Sequence, residues 1–406
     1  MKTAENYDVA VVGAGMVGAT LALALAQAGI RVALIESRHP DTTLHEPFDL
    51  RVSAITQASQ HIFEALNVWP KMQARRVSPF REMHVWDATG DGQIQFDSAD
   101  LGQTELGHII ENSVVTAALH EQIAQQEYIS LLCPFICKSF QIDAEAISIT
   151  AEDQTVIQAR LLVGADGSRS WVRQQAGISV RGWDYDQAAV VTYVKTTHSH
   201  HETAWQRFMP DGPLAFLPLL DGYSSIVWST TPAHARYLSD LDEEKFCLAL
   251  ADAFEHKLGE VTTCGPRANF PLRFMLTQHY IQSRLALVGD AAHTMHPLAG
   301  QGVNLGLEDA AALAEVLIEA HKQRQDVGQM KVLRRYERWR RADNLPMLSV
   351  VDGFKRLFGS DVPAVRWLRN TGMSIVDLIS PLKHNLITQA MGSKGSRPKL
   401  SRGMIP

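Results

Sequence analysis

Cysteine is scarce in this chain: 406 residues carry four, Cys133, Cys137, Cys247 and Cys264. So few thiols, so scattered, exclude a disulfide framework. Cys133 and Cys137 share a CxxxC spacing, but no second pair or neighbouring histidine completes a zinc set. Reduced, mostly buried thiols in a cytoplasmic compartment are expected, and no metal. Long apolar runs are equally rare. The stretch between Asp8 and Arg31 holds no charge and has the length of a membrane span. It also holds Gly13, Gly15, Gly18 and Gly29, which suits a buried strand and helix better. A basic leader with a cleavage site is missing too, and there are no internal repeats.

What is present is a globular composition, 46% hydrophobic and 20% charged, on a chain long enough for about two domains. The net charge of −6 is unevenly placed. Residues 321–406 carry 17 Lys/Arg against 6 Asp/Glu, so the rest is strongly acidic. Either the basic C-terminal part meets an anionic partner surface, or its helix faces pair with the acidic body. No nucleic-acid partner is expected.

The pattern predicts an α/β fold. Tyr7–Val12, Val17–Ala28 and Arg31–Ile35 read as strand, helix and strand, the helix stopping at Gly29. Residues 49–75 read as helical, with Ile55, Ile62, Leu66 and Trp69 at helical spacing, and Val114–Gln126 as another helix. Strands follow at 146–150, 155–158 and 161–165. The middle turns β-rich and aromatic, at 188–196, 203–208, 214–219 and 224–229, followed by one helix over 242–258. Leu285–Val288 is a strand and Val303–Gln323 a helix; 329–391 is mostly helical. The expected organisation is a discontinuous Rossmann-type dinucleotide-binding domain (1–75, 100–178 and 277–345). A β-rich substrate domain (76–99 and 179–276), a helical region (346–392) and a basic, disordered tail (393–406) complete it.

Three stretches carry chemistry. GAGMVG at 13–18 is a GxGxxG that follows a strand and opens a helix. Gly13 permits the tight turn, Gly15 lets backbone approach a pyrophosphate, and Gly18 lets helix and strand pack closely. Met16 and Val17 form the helix entry. Glu36 ends the next strand, where a carboxylate accepts from a ribose diol and repels a 2′-phosphate, so FAD or NAD suits the site better than NADP. The second stretch, LLVGADGSRSWVR at 161–173, sends Asp166 toward the same crevice from a strand that precedes a helix near Ser168. The third is GDAAHTMHPLAGQGVNLG at 289–306. There Asp290 can accept from a ribityl hydroxyl, and Gly300 and Gly302 let backbone N–H groups face an anion.

The order GxGxxG…E, then GADG, then GDAAHxxxPxxGQGxNxG resembles the FAD-dependent aromatic hydroxylases, the group A flavoprotein monooxygenases, over residues 5–345. DLRVSAI at 49–55, LGHIIENSVV at 106–115 and LRRYERWRRADN at 333–344 narrow the resemblance to the ubiquinone-biosynthesis hydroxylases. AFLPL at 215–219 and SIVWS at 225–229 resemble the 2-polyprenylphenol 6-hydroxylase branch, which acts at the ring C5 position. WQRFMPDGP at 205–213 is similar to the branch acting on demethoxyubiquinol.

The resemblance implies FAD as cofactor, NAD(P)H as reductant and O2 as co-substrate, with a flavin C4a-hydroperoxide delivering oxygen to a polyprenylphenol ring. It implies that Gly13, Gly15 and Gly18 cradle the pyrophosphate with Arg51, that Glu36 holds the adenosine ribose and Asp290 the ribityl chain. Asp166 would serve FAD and the approach of the reductant. Pro297 and the loop Gly300–Gly302–Val303–Asn304 would lie beside the flavin ring and supply its catalytic environment. His293 is a candidate base for the phenol, though a structural, hydrogen-bonding histidine fits its place in the motif better. His198, His200 and His201 are expected on an exposed loop tip. Phe208, Phe216, Leu217, Pro218 and Trp228 are the candidate substrate contacts, although strand alternation makes about half of them ordinary core. A lipid substrate calls for contact with a membrane surface or sister enzymes, for which the basic helix around Arg334–Arg341 is the candidate. Homo-oligomers are compatible with the sequence. A flavin halogenase is disfavoured because no WxWxIP element occurs, while a flavoprotein reductase or a redox scaffold holding structural FAD remain the rival readings.

Overall fold

The computed structural model describes residues 5–295, 301–358 and 396–406. It opens with β1 (Glu5–Val12), α1 (Met16–Ala26) and β2 (Val32–Ile35), and the two strands pair in parallel. α1 is buried from Gly18 to Ala26, which accounts for the uncharged run. The helix needs a core on all sides, and no described helix is long and apolar enough to cross a membrane.

The expected helix over 49–75 divides. Val52–Ile55 is strand β3, and α2 (Gln57–Ala65) and α3 (Trp69–Gln73) follow it. Ile55 therefore belongs to a strand. Thr56 accepts from the amide of Ser59 and so starts α2 only after it. β3 and β4 (Ser78–Phe80) flank β7 (Gly107–Glu111) in a small sheet, while β5 (Glu82–Asp87) and β6 (Gln93–Asp97) form a hairpin. Next come α4 (Asn112–Ile123), β8 (Ile129–Leu132), β9 (Cys137–Ile142), β10 (Ile147–Ala151) and β11 (Val156–Gly164). β11 is one continuous strand where two were expected. It lies parallel to β1 with Gly164 level with Val12, so both strands release their chains at the same edge. α5 (Trp171–Gln175) then starts at Ser170, whose hydroxyl accepts from the amide of Arg173.

β12 (Val180–Thr196), β13 (Thr203–Met209), β14 (Gly212–Pro218) and β15 (Tyr223–Thr230) form an antiparallel run. Two helices follow where one was expected. Thr231 caps α6 (Pro232–Asp240), with proline in its first turn, and Asp242 caps α7 (Glu243–Ala253). β16 (Val261–Cys264) and β17 (Ala268–Thr277) both pair with β12. Side-chain alternation gives this sheet two faces. Val190, Leu214, Phe216, Ile226 and Trp228 pack beneath α6 and α7 on one of them.

β18 (Ile281–Gln282) and β19 (Leu285–Leu287) return to the first sheet, whose order is β18-β19-β11-β1-β2-β8. β20 (His293–Thr294) pairs instead with Met275 and Leu276 of β17, which ties the two sheets together beside the third motif. α8 (Gln301–Lys322) packs against α1, and α9 (Met330–Phe358) packs against α8. The region expected to be helical beyond Phe358 lies outside the described residues.

The expectation of a disordered tail is corrected for residues 396–406. Leu400 is fully buried, and the turn at Leu400–Arg402 lies on α2. The amide of Lys399 donates to Glu315 at 2.7 Å, and Trp339 Nε1 donates to the carbonyl of Ser396 at 2.6 Å. Part of the basic charge of α9 is paired within the protein: Arg335 with Glu319 at the surface, and the buried Arg340 with Glu308, Asp309 and Asp343. Lys331, Arg334 and Arg338 remain exposed on α9.

Candidate functional site

The first wall of the site forms because Gly13 and Gly18 leave no room for side chains. Gly13 has φ +105°, and a Cβ there would stand 2.4 Å from the carbonyl oxygen of Ala165. At Gly18 it would stand 1.9 Å from the carbonyl oxygen of Gly13. Gly15 differs, since a Cβ there would meet nothing within 4 Å. It is also the N-cap of α1, and no side chain caps that helix. The first-turn N–H groups of α1 thus face open space, which is where an anion binds. Glu36 turns its carboxylate back over this loop, accepting from the amides of Ala14 at 2.9 Å and Ser37 at 2.8 Å. His120, from α4, donates to the carbonyl of Ala14 at 2.8 Å. The side chain of Val17 is spent on packing: its methyl groups fill the space beside Gly289 and Gly306.

β1 and β11 end side by side, so Asp166 arrives against the glycine loop. Its Oδ2 accepts from the amide of Val172 at 3.0 Å, while its buried Oδ1 has no hydrogen-bond partner. Burial pushes the carboxyl up from its ordinary range, against hydrogen bonds that lower it. An unpartnered buried carboxylate oxygen beside a bare helix N-terminus suits a ligand that brings a hydroxyl. Arg173 carries no local sign of its role. It is buried and donates to the carbonyls of Ala291 at 3.0 Å and Ser168 at 2.7 Å, clamping the second and third loops together.

The third loop holds Asp290 open to solvent. Even so, loss of hydration raises its pKa, and only the charges of His293 and Arg51 oppose the shift. A carboxylate that is both accessible and surrounded by protein stands at the floor of a cleft. Arg51 is exposed at the start of β3, close enough to act on Asp290, with its guanidinium 5.9 Å from the ring centre of Phe270. Gly302, in the first turn of α8, matches Gly15 because a Cβ there would also meet nothing within 4 Å. Val303 is half-buried against the main core. Asn304 departs from expectation. Its Oδ1 accepts from Thr56 and Ser59, and its Nδ2 donates to the carbonyl of Ala54 at 2.7 Å. That amide ties α8 to β3 and α2. Pro297 and Gly300 lie outside the described residues, as does His296.

His293 is buried behind the loop, with Nε2 2.6 Å from Asp309 Oδ2. Arg340 Nε donates to the other carboxylate oxygen at 2.7 Å, and Asn344 Nδ2 does so at 3.1 Å. These bonds make His293 a structural histidine and account for its place in the motif. The histidine cluster of the sheet domain is divided as well. His198 and His201 are exposed, but His200 is buried, donating to the carbonyl of Leu219 at 3.0 Å and accepting from the amide of Glu202. Burial lowers its pKa. Among the described residues no three His, Cys, Asp or Glu side chains gather in a metal-holding group.

Two candidate substrate contacts are corrected by sheet geometry. Phe216 is 1% exposed and stacks on Phe254 of the helical layer at 3.9 Å, and Trp228 is 3% exposed against His234. Both lie on the face closed by α6 and α7. Phe208 points the other way, against Met295 and Leu305 of the third loop. Leu217 joins Phe48, Ile109 and Tyr193, also away from the helices, and Pro218 is buried at the end of β14.

Comparison with known proteins agrees with this arrangement. A family model described as an FAD binding domain matches residues 6–344. The chain is 38% identical to the 3-demethoxyubiquinol 3-hydroxylase of Escherichia coli, over 96% of this chain and 100% of that one. It is 37% identical to the ubiquinone hydroxylase UbiL of Rhodospirillum rubrum, over 98% and 93% of the two chains. Against the human mitochondrial ubiquinone biosynthesis monooxygenase COQ6 the identity is 34%, over 95% and 92%. The fold matches p-nitrophenol 4-monooxygenase PnpA of Pseudomonas putida with a TM-score of 0.78 at 20% identity, covering 97% and 100% of the chains.

Proposed function

This chain belongs to the FAD-dependent aromatic hydroxylases of ubiquinone biosynthesis, and we propose that it hydroxylates the ring of a polyprenylated phenol or quinol. The observation that carries the reading is the set of two helix entries, at Gly15 and Gly302, where an added Cβ meets nothing within 4 Å among the described residues, together with Asp166, which has an unpartnered oxygen, and Asp290, which Arg51 acts on. FAD, reduced by NAD(P)H, supplies the oxygen-activating chemistry. The amides of Gly15–Val17 and the guanidinium of Arg51 would hold its pyrophosphate in the turn that Gly13 makes, and Glu36 its adenosine ribose. Asp290 would hold its ribityl chain and the amides at Gly302 and Val303 its ring edge. Asp166 offers a free oxygen to the same group. The face of the second sheet turned away from α6 and α7 would supply the apolar wall over the ring and exclude water there.

The ring position favoured by AFLPL and SIVWS is C5. Phe216 and Trp228, the aromatic residues of those motifs, lie under the helical layer and act on position only indirectly. Gln206 and Phe208, of WQRFMPDGP, lie on strand positions that face the cleft. That placement, with the likeness to the E. coli enzyme, favours hydroxylation of a demethoxyubiquinol as the second reading. Incubating the flavin-loaded protein with NADH or NADPH, O2 and each lipid, then locating the added oxygen by mass analysis, separates the two. NAD(P)H oxidation indifferent to every prenylated phenol and quinol would sink both, and leave a reductase or redox scaffold.

The exposed Lys331, Arg334 and Arg338 on α9 support docking on an anionic membrane surface as the route to such a lipid.

A further inference from the structure

β13 turns its side chains alternately toward and away from the helical layer. Trp205 and Arg207 take the helix side. Trp205 packs there and its Nε1 donates to the carbonyl of His200 at 3.3 Å, while Arg207 donates to Glu255 at 2.6 Å. Gln206 and Phe208 take the other side, where Phe208 meets Met295 and Leu305. Gln206 is only 7% exposed, yet its side-chain amide makes no hydrogen bond among the described residues. Its cross-strand neighbours are Ala215 on β14 and Val85 on β5, and the preceding residue on its own face is Ala204. All three are buried, and none of their side chains can donate or accept.

A buried amide among apolar neighbours is costly to leave unpaired, and buried polar groups in native proteins ordinarily have partners. This one lies two residues, about 7 Å along the strand, from the residue that touches the third loop. We propose that Gln206 binds an oxygen of the substrate ring and so sets which ring carbon faces the flavin-side loop. A carboxamide carries both a carbonyl and an NH2 group, so it can accept from a phenol O–H and donate to a ring oxygen. Being neutral, it matches a phenol or quinol and not an acid. The proposal rests on the proposed reaction with a prenylated phenol or quinol, and gives that ring its polar contact within an otherwise apolar wall.

The test titrates two ligands into the flavin-loaded protein without reductant and follows flavin absorbance. One is a prenylated phenol, the other the same molecule with hydrogen in place of the hydroxyl. Gln206→Leu should bind the phenol about tenfold more weakly, the change that ~1.4 kcal/mol of one lost hydrogen bond produces. It should bind the deoxy analogue as well as the wild type does. The variant should also unfold at no lower a temperature, because an unpaired amide gives way to an apolar group of similar size. In turnover it should hydroxylate less lipid per NAD(P)H consumed, since a ring free to turn presents the wrong carbon. Unchanged phenol affinity, equal weakening for both ligands, or a lower unfolding temperature would overturn the contact while leaving ring hydroxylation intact. A wild-type protein that neither binds nor hydroxylates any prenylated phenol or quinol would overturn both.

Discussion

Nε2 of His293 lies 2.6 Å from Oδ2 of Asp309, and both side chains are closed off from solvent. The pair joins β20 to α8, and Arg340 brings α9 to the same carboxylate. Burial alone would raise the pKa of Asp309. The charges of His293 and Arg340, with their hydrogen bonds, outweigh it and hold the carboxyl below its ordinary range.

Replacing Asp309 by Ala leaves Arg340 buried beside an emptied position, at a cost of about 3–5 kcal/mol. Urea unfolding at neutral pH measures it. The pH dependence has a definite sign. A carboxyl whose folded pKa is depressed contributes fully above the unfolded value of about 4 and loses that contribution as pH falls through the folded value. Wild-type stability should therefore drop in that acid window, and Asp309→Asn should lack that part of the slope. Identical slopes would contradict the assignment.

The two helix-entry glycines should separate binding from folding. Gly15→Ala adds a methyl group in open space, so stability of the flavin-free protein should change by less than about 0.5 kcal/mol. FAD affinity should fall by about tenfold or more, read by flavin fluorescence titration. Gly18→Ala forces its Cβ onto the carbonyl of Gly13 and should lower the unfolding temperature instead. Equal behaviour of the two variants would count against the pyrophosphate site.

Asp290→Ala should purify without yellow colour, because it removes the carboxylate of the third loop, which the charges of His293 and Arg51 act on. Stoichiometric flavin in the purified variant would reject the ribityl role.

Phe216 and Phe208 lie on neighbouring strands and opposite faces. Phe216→Ala should cost about 3–5 kcal/mol of stability, as buried aromatic truncations do, with KM for the lipid unchanged in the folded enzyme. Phe208→Ala should raise that KM with a smaller loss of stability. A reversed outcome would mean that the helical layer, and not the open face, meets the substrate.

Charge reversal of Lys331, Arg334 and Arg338 to Glu should weaken sedimentation with anionic vesicles, each cation being worth about 1 kcal/mol near such a surface. Wild-type binding in the triple variant would remove the case for this face.

The cofactor crevice was legible in the sequence because its signals are local: a glycine spacing, a strand before it, an acid at the end of the next strand. The clamps that assemble it were not. Arg173, Arg340 and Asn344 find their partners across more than 30 residues, and nothing beside them in the chain marks the contact. Faces were the other blind spot. Alternation along β14 says that Phe216 and Leu217 point apart, but not which face a helix covers. That depended on α6, whose start at Thr231-Pro232 went unread. Asn304 is expected on the loop beside the flavin ring, but it lies inside α8 and its amide answers to Thr56 and Ser59, far away in sequence.

In the first sheet β1 is flanked by β2 and β11, and β11 by β19. A ribosome releases the glycine loop long before it makes the strands and the helix that enclose it. The nascent chain cannot close this pocket early, because α8 must arrive before Val17, Gly289 and Gly306 can lock together. Flavin capture is thus a late event in the life of each molecule. Until then, an apolar helix with no charge from Met16 to Ala26 is without its cover, and depends on slow, long-range closure or on a chaperone to stay out of aggregates.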